Sequence, residues 1–126
     1  DEIKQLDNNT LITIGCHTHS HANLAQESFG SAKNDLLYSK NLLEKKLNHE
    51  VFHLAYPFGT KNEVGSRELK LAKEIGFTTA VTTQCFSAKP SELHCLPRYS
   101  AVDKNLINNI ETRLSGLSNV MKLDIT

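Results

Sequence analysis

The sequence predicts an α/β fold built on a mainly parallel sheet. Short β-rich runs alternate with longer stretches of helical period, in the order strand, helix, strand, helix, strand, strand, helix. Turn chemistry at Asp7-Asn8-Asn9, Pro57-Phe58-Gly59 and Gly76 separates them. No internal repeat or low-complexity segment interrupts the alternation.

Residues 1–7, with Ile3 and Leu6, read as the end of a helix. A strand is expected over 10–16, where β-branched residues dominate and Ile12, Ile14 and Cys16 alternate. Ser31 is the expected N-cap of the longest helix, 31–48, whose apolar face carries Leu36, Leu37, Leu42, Leu43 and Leu47. A second strand over 51–56 stops at Pro57, because proline removes a ladder donor. A helix starting near 63 or 66 and ending at 75 buries Leu69, Ala72 and Ile75, with Gly76 at its C′ position. The third strand covers 77–83, and a looser stretch runs to Pro90. Residues 96–99 suggest a short strand, and Asp103 caps a last helix using Leu106, Ile107, Ile110 and Leu114.

The 126 residues suit one domain, 1–126, of ordinary globular composition with 39% hydrophobic and 22% charged residues. Lys plus Arg and Asp plus Glu each number 14, so there is no basic field to attract a phosphate backbone, and nucleic acid is not an expected partner. The charges are scattered, as in Glu44, Lys45, Lys46 and in Glu68, Lys70, Lys73, Glu74, which reads as solvated helix faces. Cys16, Cys85 and Cys95 form neither a disulfide framework nor a thiolate cage, and read as small, partly buried thiols. That favours a reducing, cytoplasmic compartment, with a secreted or periplasmic place left open. No apolar run approaches the ~20 residues of a membrane helix. The chain starts at Asp1 and its only methionine is Met121, so the natural N-terminus is expected to lie upstream.

The chemistry concentrates at His17, His19 and His21, three imidazoles within five residues directly after the first strand. Active sites of α/β folds gather at that end of their strands. Neutral imidazole is the commonest nitrogen ligand for zinc and similar cations. A catalytic zinc takes about three protein ligands and keeps one position open. Histidines four apart, such as His17 and His21, can reach one ion from a helical turn or a tight loop, but spacing alone does not choose two of the three. The zincin pattern His-Glu-x-x-His does not apply, since Thr18 stands at its glutamate position. A polar loop whose histidines bond only backbone and water is the plain alternative.

The stretch Ile14-Gly15-Cys16-His17-Thr18-His19-Ser20-His21-Ala22-Asn23-Leu24 resembles the His-Ser/Thr-x-x-His motif of the NodB-homology polysaccharide deacetylases. Phe52-His53-Leu54-Ala55-Tyr56-Pro57-Phe58-Gly59 is similar to the family's Phe-Ala-Tyr-Pro-Tyr/Phe-Gly segment. Residues 68–83, ending Gly76-Phe77-Thr78-Thr79-Ala80-Val81-Thr82-Thr83, are similar to its helix-to-strand unit, and Leu96-Pro97-Arg98-Tyr99-Ser100 to its late Leu-Pro-Arg segment. Order and spacing agree over residues 10–102.

The resemblance implies a partial (β/α) barrel and identifies 1–126 with the C-terminal portion of a deacetylase catalytic domain. It implies hydrolysis of N-acetyl groups from an amino-sugar polymer with one divalent metal, usually zinc. On it the ligands are His17 and His21, with His19 the variable residue between them, and the hydroxyls of Thr18 and Ser20 steering the imidazoles. The backbone N–H of Phe58 would serve the developing oxyanion. Tyr56 and Pro57 would meet the substrate, an N-acetylated glycan.

Two departures qualify this. The family's Phe-Asp-Asp-Gly motif, source of the base and third ligand, has no counterpart, and no Asp-Asp pair occurs in the chain. The usual arginine of the third motif is replaced by Ala55, a charge role that Arg98 can take over. His94 does not fit the family's Leu-x-His acid, and His49 and His53 read as structural. A degenerate, non-catalytic carbohydrate- or metal-binding module of the same fold is the rival expectation. Loss of early strands would leave an open sheet edge, through which the chain is expected to self-associate.

Overall fold

The structure is a computed structural model that describes residues 2–84 and 89–98. Three helices accompany a parallel sheet: α1 (Glu2–Asp7), α2 (Phe29–Leu47), β1 (His53–Ala55), α3 (Ser66–Ile75), β2 (Thr79–Thr82) and β3 (Leu96–Pro97), with a 3-10 turn at Leu24–Gln26. The sheet order is β1-β2-β3, and Leu54 pairs with Ala80 while Val81 pairs with Leu96. This is the α/β alternation expected of a partial (β/α) barrel. The expected helix from Asp103 through Leu106, Ile107, Ile110 and Leu114 lies outside the described residues, as does Cys85.

The expected strand over 10–16 contracts to one bridge. Only Cys16 pairs, donating from its N–H to His53 O at 2.7 Å and accepting from Ala55 N–H at 2.8 Å. The reason lies in its neighbour: β1 is three residues long and begins at His53, so residues 10–15 have no strand beside them to pair with. Sequence alternation upstream therefore finds no ladder here, and Leu11 stays 92% exposed.

The helix α2 starts earlier than expected. Ser28 is its N-cap, its hydroxyl accepting from Ser31 N–H at 3.1 Å, so Ser31 lies inside the first turn. Asn48, at φ 63°, ends the helix and returns its N–H to Glu44 O. The buried face runs Ala32, Leu36, Ser39 and Leu47, with Leu43 packed beside it, while the expected member Leu42 is 41% exposed. A serine thus occupies a position on the face that leucine periodicity had assigned to apolar residues.

Helix α3 follows Gly65, whose N–H donates to Glu68 Oε2 at 2.9 Å. Glu68 is buried, so it is a capping carboxylate and not part of a solvated face. Its other oxygen accepts from Arg67 Nε at 2.7 Å, and Arg67 Nη1 reaches Glu27 O at 3.0 Å, tying α3 to the segment after the histidines. Gly76 at φ 93° closes α3 in the left-handed conformation that glycine takes without strain. Leu36, Leu54, Leu71, Phe77 and Ala80 form the centre of the core between helices and sheet. No helix among the described residues is long and apolar enough to cross a membrane.

Leu36→Ala is expected to cost about 2–5 kcal/mol in chemical denaturation, as large-to-small core changes do. Leu42→Ala is expected to stay within about 0.5 kcal/mol, as surface changes do. Equal losses at the two positions would show that the buried face of α2 has been assigned wrongly.

Candidate active site

Four parallel segments end on one side of the sheet, and each hands its next residues to the same neighbourhood. Cys16 leads into His17, β1 into Tyr56-Pro57-Phe58-Gly59, β2 into Thr83 and β3 into Arg98. Carboxyl ends of parallel strands are where α/β folds assemble their sites.

Residues 17–21 form a tight loop, not a helical turn. His17 Nδ1 lies 2.7 Å from Ala55 O. A carbonyl can only accept, so Nδ1 carries the proton and Nε2 of the neutral ring keeps its lone pair. Thr18 at φ 62° and His21 at φ 57° then reverse the chain, and the His17 and His21 rings meet edge to face with centroids 4.9 Å apart. His21 also stands 5.1 Å from the Phe58 ring. His19 instead packs on Tyr38 of α2 at 4.5 Å. The structure thus pairs the two histidines that the family resemblance selects and separates the third.

Four non-glycine residues among those described have positive φ, and three of them, Thr18, His21 and Phe58, belong to this site. Each such residue costs on the order of 1–3 kcal/mol and persists only where the surroundings over-determine it. Around residues 18–20 the surroundings are α2. Asp35 Oδ2 and Oδ1 accept from the N–H groups of His19 (3.1 Å) and Ser20 (3.2 Å). The buried Ser39 hydroxyl donates to Thr18 O at 3.1 Å and lies 3.0 Å from Cys16 Sγ, whose thiol donates to it. Burial pushes the Cys16 thiol above its ordinary pKa despite the Ser39 contact, which keeps it in the protonated, donating form.

The hydroxyl role expected of Thr18 and Ser20 is not seen. Thr18 Oγ1 is buried without a partner among the described residues, and Ser20 meets the structure through its backbone. The ring of His17 is oriented by a main-chain carbonyl instead. The sequence reading missed Asp35 and Ser39. One signal was available, two polar residues one turn apart of which the second interrupts an apolar face.

The turn after β1 is fastened to the end of β2. Gly59 O accepts from Thr83 N–H at 2.9 Å, and Phe58 O accepts from Thr83 Oγ1 at 2.8 Å. A Cβ on Gly59 would lie 2.8 Å from Thr83 N, so only glycine permits this approach at φ 76°. Phe58 is half exposed, and its N–H meets no acceptor among the described residues. Tyr56 and Pro57, expected at the substrate, are both buried. The Tyr56 ring is core, its hydroxyl donates to His94 O at 3.1 Å, and burial raises that hydroxyl well above its ordinary pKa. Their part is to shape the turn, because no face of either side chain is open.

Arg98 donates from Nη2 to Tyr56 O at 3.0 Å and from its backbone N–H to Thr82 O at 2.8 Å. Its Nε is buried and has no partner among the described residues. His94 Nε2 donates to Phe77 O at 2.7 Å, which fixes that ring in a structural contact. His53 bonds Thr79 Oγ1 and His49 bonds Asp7 and Glu50 O, both structural as expected.

For a divalent cation the donor set fits in part. His17 and His21 are of the right type, and the Ala55 carbonyl orients His17 as backbone carbonyls commonly orient metal-ligating imidazoles. No group of three or more His, Cys, Asp or Glu suited to a metal occurs among the described residues, so a third ligand is not assigned to any of them.

The family model described as "Polysaccharide deacetylase" matches residues 1–80. Among solved structures, the "Streptococcus pyogenes deacetylase PplD in complex with acetate" is similar with a TM-score of 0.68 and 26% identity. That match covers 77% of this chain and 42% of that one, so the chain spans less than half the length of that structure. A search of curated proteins gives no match.

In metal-free protein at alkaline pH, nitrogen-15 NMR is expected to find His17 almost wholly in the Nδ1–H form. Comparable populations of both tautomers would mean that the Ala55 carbonyl does not hold the ring.

Proposed function

The chain belongs to the polysaccharide deacetylase family, and from that premise we propose that it holds the metal of a hydrolase that removes N-acetyl groups from an amino-sugar polysaccharide. The ligands in this reading are His17 and His21, and the cation is divalent, most simply zinc. The observation that carries it is the pairing of these two rings at 4.9 Å with His17 Nδ1 committed to Ala55 O. A bound divalent cation acidifies a water and polarises a carbonyl oxygen, the two changes that amide hydrolysis needs.

The chain's own groups then have distinct tasks. The Ala55 carbonyl keeps the His17 proton on Nδ1, so that Nε2 stays a lone-pair donor. The Phe58 N–H, presented by a turn locked onto Thr83, is a donor for the charge that develops on the amide oxygen. The exposed Phe58 ring, packed on His21, closes one side of the imidazole pair. Arg98 brings a guanidinium to the same turn, where the family's usual arginine is replaced by Ala55. The general base, the general acid and the third ligand are assigned to no residue of this chain. The substrate is an N-acetylated glycan, as the family implies.

Self-association through the sheet belongs to the same reading. On the side of β1 away from β2, Cys16 is the one paired residue among those described, which leaves that edge of the sheet able to pair with another copy. Size-exclusion chromatography with light scattering is expected to show concentration-dependent dimers or larger species. A monomer across the whole concentration range would refute this part.

The test of the metal site is zinc content and affinity in wild type, His17→Ala, His21→Ala and His19→Ala. Near-stoichiometric zinc is expected in wild type and in His19→Ala, and its loss in the other two. Zinc retained equally by all four proteins would place the metal elsewhere and overturn the assignment.

A further inference from the structure

We infer that Asp35 and Ser39 are positioning residues for the histidine pair, holding the backbone of residues 18–20 in the one form that brings His17 and His21 together. The inference rests on the reading of that pair as metal ligands and extends it to helix α2.

The geometry is specific. Asp35 uses both carboxylate oxygens, accepting from His19 N–H at 3.1 Å and from Ser20 N–H at 3.2 Å. Two successive amides converge on one anion, as in the concavities that backbone makes beside a left-handed residue, and Thr18 at φ 62° is the residue just before them. Ser39, four residues further on and so on the same side of the helix, donates to Thr18 O at 3.1 Å. Every residue from 18 to 20 is therefore tied through its backbone to α2. Thr18 is β-branched, a residue type for which positive φ is a true outlier, so free peptide would not choose this form. Neither Asp35 nor Ser39 is bonded to an imidazole. Their influence on the pair runs through the loop.

A purely structural role and a positioning role make different predictions. If α2 merely stabilises the fold, zinc affinity per folded molecule should not change when these contacts go. A positioning role links the contacts to affinity at unchanged fold. The 126-residue chain would be compared with Asp35→Asn, Asp35→Ala, Ser39→Ala and, as the structural control, Leu36→Ala. Zinc affinity would be read by competition with a chromogenic chelator, and folding by circular dichroism and thermal midpoint. Asp35→Ala is expected to weaken zinc binding by roughly 10–100-fold, the usual effect of removing a group that orients a ligand. Asp35→Asn, which keeps one acceptor oxygen, should fall between wild type and alanine, and Ser39→Ala should also weaken binding. Leu36→Ala should lower the thermal midpoint and leave the affinity of the folded fraction unchanged. Wild-type zinc affinity in Asp35→Ala and Ser39→Ala would overturn the inference.

Failure of the metal reading itself would look different. Zinc absent from wild type, or indifferent to His17→Ala and His21→Ala, would remove the site but leave the loop to be judged in metal-free protein. There, Asp35→Ala is expected to speed hydrogen exchange at the His19 and Ser20 amides and to shift the His17 ring resonances. Unchanged exchange and shifts would overturn the positioning role independently of any metal.

Discussion

The backbone reversal between His17 and His21 is the constraint on which the rest of the site depends. Cys16 is the last residue of this segment paired with the sheet, and within five residues the chain must turn a second imidazole back onto the first. No glycine lies in the loop to make that easy. Two non-glycine residues take positive φ instead, and the cost is met by contacts outside the loop, from Asp35, Ser39 and the Ala55 carbonyl. Strain of this kind survives only where several independent contacts agree. The need for those contacts explains why the helix packed behind the loop carries a buried serine where an apolar residue would pack more simply.

The other strand ends are knitted in the same way. The turn after β1 hands two carbonyls to Thr83, and Arg98 spans from the end of β2 to Tyr56 O. Each bond joins the C-terminal ends of two strands, and Arg98 joins β3 to β1 past β2, so the rim of the sheet is cross-braced although the strands themselves are two to four residues long. Bracing there suits a site whose proposed donors, an imidazole pair and one amide N–H, must be in place before a substrate arrives.

The α/β class, the order α2, β1, α3, β2, β3 and the end of α3 at Gly76 were legible in the sequence, because apolar periodicity and helix-stop chemistry act locally. The pairing of His17 with His21 was legible only through family resemblance. Spacing alone left His19 an equal candidate, and what sets it apart from the other two is a tertiary contact with Tyr38. The strand at 10–16 was overread because alternation records a tendency, whereas a ladder needs a partner of matching length. Tyr56 was placed at the substrate from its position in a motif, yet its burial follows from the side of β1 it continues, a matter of register. Asp35 and Ser39 escaped notice for a related reason: bonds from side chain to distant backbone leave almost no trace in sequence.

The bond from His17 to Ala55 O also makes the imidazole a reporter on the sheet. Ala55 lies in β1, and the register of β1 against Cys16 sets which carbonyl faces the histidine. A one-residue slip of β1 would turn its side chains to the opposite face and replace that acceptor. Correct pairing therefore favours the Nδ1–H tautomer on which the proposed metal site relies. A cation captured by His17 and His21 would draw the population toward the native register by mass action, acting as a ligand of the folded sheet and not of its slipped alternatives.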